Sequence, residues 1–346
     1  MVAALAAGVS LAGAASVAAP GTAGASTSPS WKLVFQAHPS GYFGSIAAIS
    51  KTDVWAVADL FRRGKTLYKP YIWHFNGSTW NAVTIPGATM TSNTVQASSA
   101  NNVWVIGLTP NSRNLATSAA YRWDGRHWHK IPIPAYTYLQ GTVVLSPSNV
   151  WAFGGSFNLR GDVYHWDGRK WTGFNLDLFA QDLSASSPRN VWLTGMTRAG
   201  KVEIATAHRW NGSRWQAVAT PHPVVDIGPS VTVLSRSNVW IGWDTTTTTR
   251  AAHWNGHRWR VVTAPVDVST EADIVPDGRG GYWFGPFADW TGHAWINESA
   301  ISPEPSGGSF GVIVRIPGTL SFLMAAGVTN TGSSIQHPTI YRLDLG

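Results

Sequence analysis

The chain has no cysteine and few charged side chains. Without Cys, a disulfide framework and a thiolate metal site are both excluded. Charged residues make up only 12% of the chain, no cluster of five or more Lys or Arg occurs, and no nucleic-acid motif is present, so we expect no nucleic-acid partner. No HExxH motif occurs, and no metal site or cofactor is predicted from the histidines. Glycine and tryptophan are abundant instead, with 35 and 20 residues, which favours stacked strands and tight turns over disorder.

An alanine-rich apolar segment opens the sequence. Residues 1–19 carry no charge, and Ala23-Gly24-Ala25 matches the small-residue cleavage pattern of a secretory signal peptide. We therefore expect residues 1–25 to be removed and the mature protein to be secreted, extracellular, monomeric and without stable membrane insertion. The usual Lys or Arg before the apolar run is missing, so an upstream start or a membrane anchor is the alternative. The net charge of +7 is interpreted as a solubilising surface charge, with a polyanion site as the alternative.

Two phrases alternate along the rest of the chain. The first is Asn-Val-Trp or a close variant, and its tryptophans are Trp55, Trp104, Trp151, Trp192, Trp240 and Trp283. The second is Asp/Asn-Gly-x-x-Trp, and its tryptophans are Trp80, Trp128, Trp171, Trp215 and Trp259. Six copies from Trp55 to Trp283 give a mean period of about 46 residues, which is typical of a β-propeller.

Each repeat reads as four antiparallel strands, a to d. In the third copy, strand a is 141–145, strand b is 150–154, strand c is 162–166 and strand d is 170–175, with the Asp167-Gly168 hairpin joining c to d. A degenerate seventh copy has Phe322-Leu323 in place of Val-Trp. The segment that begins at Trp31 matches a strand d, but no strands a to c precede it. Tyr341 lies in a strand c that no strand d follows. We therefore expect the N-terminal strand to complete the last blade.

The fold prediction is therefore an all-β, seven-bladed propeller with four antiparallel strands per blade. Residues 26–346 form one domain, and the N-terminal strand closes the ring by joining the C-terminal blade. The predicted blades are 43–86, 94–134, 141–176, 181–221, 228–265, 271–305 and 310–346 together with 31–37. Sixteen of the 20 Trp fall on recurring positions of strands b, c and d, where we expect them to pack between blades, and Trp295 is assigned to strand c of the sixth blade.

The d–a and b–c connections emerge at the same end of each blade and vary in length and chemistry, so this face is the predicted binding face. Trp243 and Trp290 are placed between strands b and c, as rings for a sugar or an aromatic ligand, with a loop Trp folded over its own blade as the alternative. Tyr138 adds stacking surface and Arg198 belongs to a basic rim. Consecutive d–a connections are acidic, and their candidate ligand-binding residues are Asp177, Asp182, Asp226 and Asp273.

Asp182 and Asp273 each lie ten residues before the strand b Trp, a position held by Ser, Thr or Gly in other copies. Since strand a is innermost, these carboxylates are expected near the mouth of the central channel. With Glu271, they could form an acid/base pair, bind Ca²⁺ or hold a cationic ligand. The alternative is solvated loop acids that balance nearby arginines.

The pattern N/D-V-W-A-x-G … W-D/N-G-x-x-W resembles the repeats of secreted bacterial propellers, especially actinobacterial ones, which are similar in architecture alone to kelch and galactose-oxidase domains. The resemblance covers residues 31–346. Galactose-oxidase chemistry requires a Cys-linked Tyr, and the chain has no Cys. The hairpin also resembles the Asp-box of sialidases, but the Asp167-Gly168 spacing differs by one residue and no arginine triad is found. The resemblance therefore implies the architecture and no particular activity.

Three functions remain open from the sequence. The first is a secreted, non-catalytic binding protein for a glycan or a cell-envelope polymer, with its site near the central channel on the d–a/b–c face. The second is a protein-interaction platform, which predicts an exposed apolar patch and no pocket. The third is a carbohydrate-active lyase or hydrolase that uses carboxylates at the channel mouth, such as Asp182 and Asp273.

Overall fold

The computed structural model describes residues 29–38, 40–62, 65–66, 69–91, 94–110, 117–134, 137–155, 161–199, 202–221, 227–244, 249–263, 274–285, 288–298, 309–329 and 336–346. Every regular element within these ranges is a β-strand. The predicted signal peptide, residues 1–25, lies outside them. Across the same ranges, no helix has the length and apolar character needed to cross a membrane.

The strands alternate with short turns along the whole described chain. The first ten are β1 Lys32–Gln36, β2 Gly41–Ser50, β3 Asp53–Arg62, β4 Lys65–Thr66, β5 Tyr71–Phe75, β6 Trp80–Val83, β7 Thr94–Ser99, β8 Asn102–Thr109, β9 Thr117–Trp123 and β10 Trp128–Ile131. The next nine are β11 Tyr138–Ser146, β12 Asn149–Gly155, β13 Gly161–Trp166, β14 Trp171–Ser187, β15 Asn190–Ala199, β16 Val202–Trp210, β17 Trp215–Val218, β18 Ile227–Ser235 and β19 Asn238–Asp244. The last nine are β20 Thr249–Trp254, β21 Trp259–Thr263, β22 Ile274–Pro276, β23 Tyr282–Phe284, β24 Ala288–Trp290, β25 Trp295–Asn297, β26 Ser309–Arg315, β27 Ser321–Thr329 and β28 Gln336–Asp344.

These strands form antiparallel sheets in which, apart from β1, neighbours in sequence are neighbours in space. Four sheets have four strands each, in the orders β7–β10, β18–β21, β22–β25 and β26-β27-β28-β1. A fifth sheet contains β2, β3, β5 and β6, with β4 paired to β3, and a sixth runs from β11 to β17. The predicted all-β architecture of four-stranded antiparallel units is therefore confirmed.

The seven-stranded sheet arises because β14 belongs to two four-stranded units. Its first part pairs with β13, from Trp171 opposite Trp166 to Leu178 opposite Gly161. Its second part pairs with β15, from Phe179 opposite Met196 to Ser187 opposite Asn190. The sequence predicts a connection after residue 176, and here the chain bends at Asp177 within one strand that pairs on both sides of the bend.

The N-terminal strand completes the sheet that contains the C-terminal strand. Strand β1 pairs with β28, and Leu33 lies opposite Tyr341. This bears out the prediction that the two chain ends share one sheet. Contacts also connect the innermost strands of successive units: β2 with β7, β7 with β11, β11 with β14, β14 with β18, β18 with β22, β22 with β26, and β26 with β2.

Tryptophan side chains fill the spaces between neighbouring sheets. Trp104 is fully buried, and its ring lies 6.1 Å from Trp166 and 6.2 Å from Trp171 of the next unit. The contact with Trp171 is edge-to-face, with an interplanar angle of 84°. The same arrangement recurs at Trp55, Trp151 and Trp192. Each ring removes roughly 150–250 Å² from water, so these positions must recur if every sheet is to pack on the next.

In three units, a polar side chain two residues before the strand b tryptophan accepts a hydrogen bond from its indole N–H. Asp53 Oδ1 accepts a hydrogen bond from Trp55 Nε1 at 3.0 Å and lies 2.9 Å from His74 Nε2, while the His74 ring stacks on Trp55 at 4.1 Å. In the next unit, Asn102 Oδ1 accepts from Trp104 Nε1 and from Arg122 Nε. The histidines at this position therefore orient a core tryptophan, which explains why arginine can replace them.

Candidate functional site

A cleft of about 410 Å³ opens where β14 crosses from one unit to the next. Residues of β14, β15 and β16 line it, and they are Asp177, Leu178, Phe179, Met196, Thr197, Arg198 and Glu203. Strand a begins here, and β15 and β16 meet nearby at their b–c connection. The cleft therefore lies on the face that the sequence nominated, and it brings together two predicted residues, Asp177 and Arg198.

A bend in β14 shapes this cleft. Asp177 has a φ of 53°, the left-handed region that a residue with a side chain rarely adopts, and its backbone N–H donates to Asn175 Oδ1 at 2.9 Å. Asn and Asp are the residues that tolerate such a turn best, because their short polar side chains bond to the nearby backbone. Leu178 and Ala180 after the bend are buried, and Phe179 between them points outward.

Phe179 is the residue of the cleft that the sequence analysis missed. Its side chain is 44% exposed, although a phenyl ring is normally buried. It lies 13 residues before the strand b Trp, as do Tyr42 and Tyr138, both of which are half-buried. Tyr138, a predicted stacking residue, does not line the cleft, but it shares this register in the neighbouring unit. The recurrence of an aromatic residue 13 positions before the strand b Trp was the sequence signal that could have identified Phe179.

Opposite charges at the cleft wall provide hydrogen-bonding groups. Arg198 and Glu203 are paired across β15 and β16, and the guanidinium Nη2 lies 3.2 Å from Glu203 Oε1. Both side chains are exposed to solvent, so this pair adds little stability and remains free to exchange partners. A planar guanidinium and a carboxylate side by side can donate to and accept from neighbouring hydroxyl groups.

The carboxylate of Asp182 forms a hydrogen bond to the next sheet and does not line the cleft. Its two oxygens accept the backbone N–H groups of Leu183 and of Val231 in the next unit, both at 2.7 Å. Burial raises the pKa of this carboxyl to about 6, even though the two hydrogen bonds act in the opposite direction. In the unit of β2, Ser45 at the equivalent position bonds Val95 in the same way. Asp182 therefore connects neighbouring sheets, which is a structural role.

The predicted loop positions of Trp243 and Trp290 were wrong. Trp243 lies in β19, is 2% exposed and packs with Trp192 and Val231. Trp290 lies in β24, is 8% exposed, and pairs with Trp295 at the start of β25. Trp295 therefore begins strand d and is not in strand c. Since both rings are part of the core, neither presents a face to a ligand in this structure.

Three predicted acidic residues lie outside the described residues: Asp226, Glu271 and Asp273. Within the described ranges, no group of three or more His, Asp or Glu side chains is arranged to hold a metal ion. A calcium site therefore stays a prediction that depends on those connections.

Comparisons with known proteins give the fold and no family. No family model matches the chain, and no curated protein matches it. One similar solved structure is the β-propeller domain of the Trilobed protease from Pyrococcus furiosus, which has an open velcro topology. It matches with a TM-score of 0.62 and 10% identity, over 90% of this chain and 95% of that chain. The fold is that of a β-propeller. YCF48 bound to a D1 peptide matches with a TM-score of 0.61 at 12% identity over 91% of this chain and 95% of that one, and YCF48 from Cyanidioschyzon merolae matches with a TM-score of 0.58 at 12% identity over 91% and 98%.

Proposed function

We propose that this propeller is a secreted, non-catalytic binding protein whose ligand is a glycan or a cell-envelope polymer. The ligand binds on the d–a/b–c face, in the cleft that contains Phe179. The observation that carries the proposal is an exposed phenyl ring beside a guanidinium and two carboxylates in one cleft of about 410 Å³. Ligand sites combine apolar walls with a few directed polar groups, and this cleft has both.

The scaffold in this proposal is a seven-bladed, closed ring. Seven units of four strands are obtained when β14 is divided at Asp177 between its two partners. The contacts of the innermost strands lead from β2 through five intermediate units to β26 and back to β2, which supports closure. Pairing of β1 with β28 supports it further, since it covers an edge strand of the last blade.

The chemistry of the cleft suits a sugar. The face of an aromatic ring carries negative charge density and attracts the polarised C–H groups of a pyranose face, while water is released from both apolar surfaces. The Arg198 and Glu203 side chains can then bond ring hydroxyls at the edge. An ion pair that is already exposed loses little hydration when a hydroxyl replaces a water molecule.

The two alternatives have less support from the described residues. A flat interaction platform predicted no pocket, whereas a cleft is present at the nominated face. The proposed hydrolase or lyase used Asp182, but its carboxylate is bonded to two backbone N–H groups. Asp177 and Glu203 line one cleft, so any glycan that binds should also be tested for cleavage.

The experiment is a glycan array followed by isothermal titration calorimetry with each hit. We expect Phe179→Ala to weaken binding at least tenfold, because the ring supplies the apolar wall, and Phe179→Trp to retain binding. Ile296→Ala is the matched control, since Ile296 is also 44% exposed and lies on another unit. The proposal fails if no polysaccharide binds, or if Phe179→Ala and Ile296→Ala bind equally well.

A further inference from the structure

A second cleft, of about 420 Å³, lies beside the hairpin of β20 and β21. Its lining consists of His253, Asn255, Arg258, Trp259 and Arg260. The hairpin turn joins strands c and d, and strands alternate in direction, so this turn lies at the end of its sheet opposite to the b–c connection. The second cleft and the Phe179 cleft therefore belong to opposite faces of the propeller.

Two arginines give this cleft an unbalanced positive charge. The lining includes Arg258 and Arg260 and contains no carboxylate. Within the described part of the chain, neither guanidinium pairs with an acidic side chain. A concave surface with one sign of charge raises the local concentration of ions of the opposite sign.

Comparison with the β9–β10 hairpin shows how the charge arises. In the β9–β10 hairpin, Asp124 Oδ1 accepts two backbone N–H groups of the turn, and Asp124 Oδ2 lies 2.6 Å from His129 Nε2. In the β20–β21 hairpin, Asn255 replaces the aspartate and Arg260 replaces the histidine. Asn255 Oδ1 still accepts the N–H groups of His257 and Arg258, at 3.0 and 2.9 Å. The turn is preserved, while the negative charge that would balance the arginine is absent.

The remaining walls of the cleft are held in place by their own contacts. Trp259 Nε1 donates to the carbonyl oxygen of Ala219 at 2.9 Å, and its ring meets Trp192 edge-to-face. The His253 ring stacks on Trp240 at 4.7 Å, and His253 Nε2 lies 3.0 Å from Asn238 Oδ1. A ligand would therefore need to order only the two arginine side chains, which limits the entropy lost on binding.

We propose that this cleft binds a tetrahedral oxyanion, the sulfate or phosphate ester group of a ligand. A guanidinium offers parallel N–H donors that match two oxygens of such a group. Two guanidiniums at the rim and the amide of Asn255 supply donors from several directions. The site is independent of the Phe179 cleft, and each can fail without the other.

The test is calorimetric titration with sodium sulfate and with sodium phosphate, in separate arms at constant ionic strength. Saturable binding of either anion by the wild type supports the site. Whether sulfate or phosphate binds more tightly indicates which ester the site recognises. Asn255→Asp restores the carboxylate found in the β9–β10 hairpin, so we expect affinity to fall about tenfold or more. Arg260→Ala should produce a similar loss, and it provides a second variant should Asn255→Asp not fold.

Asn211→Asp is the matched control. Asn211 makes the same turn in the β16–β17 hairpin, but the residue five positions later is Gln216, so the same change there adds charge without touching the cleft. We expect it to leave anion affinity unchanged. The proposal is overturned if neither anion binds the wild type, if Asn255→Asp binds as the wild type does, or if Asn211→Asp loses the same affinity.

Discussion

Replacing Asp182 by serine should change how the stability of the propeller depends on pH. The Asp182 carboxylate bridges two sheets, and burial raises its pKa from an ordinary value of 3.8 to about 6. The folded state therefore holds a proton that the unfolded state has already released between these two values. Because the folded state binds more protons in this window, the free energy of unfolding falls as pH rises from about 4 through 6.

The magnitude follows from the difference in pKa. A rise of about 2 units corresponds to about 3 kcal/mol in total, of which about 2–3 kcal/mol should be lost between pH 4 and pH 7. Serine does not titrate, and Ser45 shows that a hydroxyl can bridge two sheets at this position through Val95. The Asp182→Ser variant should thus lack this loss. For a domain of this size, the difference amounts to about 3–5 °C in melting temperature.

The assay is thermal unfolding of both proteins, followed by tryptophan fluorescence from pH 4 to pH 8. Asp289, whose pKa is also raised to about 6 by burial and by Asp277, titrates in the same range, but it is present in both proteins and cancels in the comparison. We expect the wild type to lose stability relative to the variant as pH rises. If the melting temperatures of the two proteins change with pH in the same way across this range, the reasoning is refuted.

Two further substitutions test the core and the hairpin turns. Trp243→Ala should lower stability by about 3–5 kcal/mol and leave glycan and anion affinity unchanged, since this buried ring contacts other core side chains; loss of binding without loss of melting temperature would contradict its placement. Gly168→Ala should cost about 1–3 kcal/mol, because Gly168 has a φ of 97° and an added Cβ would lie 2.8 Å from Ser148 Cβ; a melting temperature equal to the wild type would show that the turn is not constrained in this way.

The positions that build the fold could be predicted because they must recur. Each blade packs on the next through the same rings, so Trp55, Trp104, Trp151 and Trp192 appear at a regular spacing. The hairpin turns recur for a similar reason, since each needs a glycine with positive φ. Between the blades predicted to end at 176 and to begin at 181, the chain bends at Asp177 within one continuous strand, and no glycine or proline marks this bend.

The misplacement of Trp290 shows how one substitution can hide a repeat. Trp290 and Trp295 keep the five-residue spacing of Trp254 and Trp259, and they contact each other in the same way, with ring centroids 5.2 Å apart. The residue before Trp290, however, is Asp289 where other copies have His or Arg. Spacing between aromatic residues was therefore a better guide to this strand than the identity of their neighbours.

The cleft residues could be located only by face, because a ligand site need not repeat. Strand direction places Asp177 and Arg198 on the same face, and both line the same cleft. Their partners Phe179 and Glu203 were not predicted, since nothing in a single copy distinguishes an outward ring from a core ring. The alternation of exposure along β14 depends on the bend at Asp177, which only the folded chain reveals.

Both proposed clefts occur where one unit departs from the pattern that the others maintain. The β14 crossing has an exposed ring next to a left-handed aspartate, and the β20–β21 hairpin has Arg260 at a position where four other hairpins carry Asn81, His129, Thr172 and Gln216. A repeat protein can change a residue in one unit without disturbing the packing of the rest, since each unit contacts only its neighbours. A function that evolved on this scaffold is therefore best sought at such exceptions, and the tryptophans that recur are poor candidates for it.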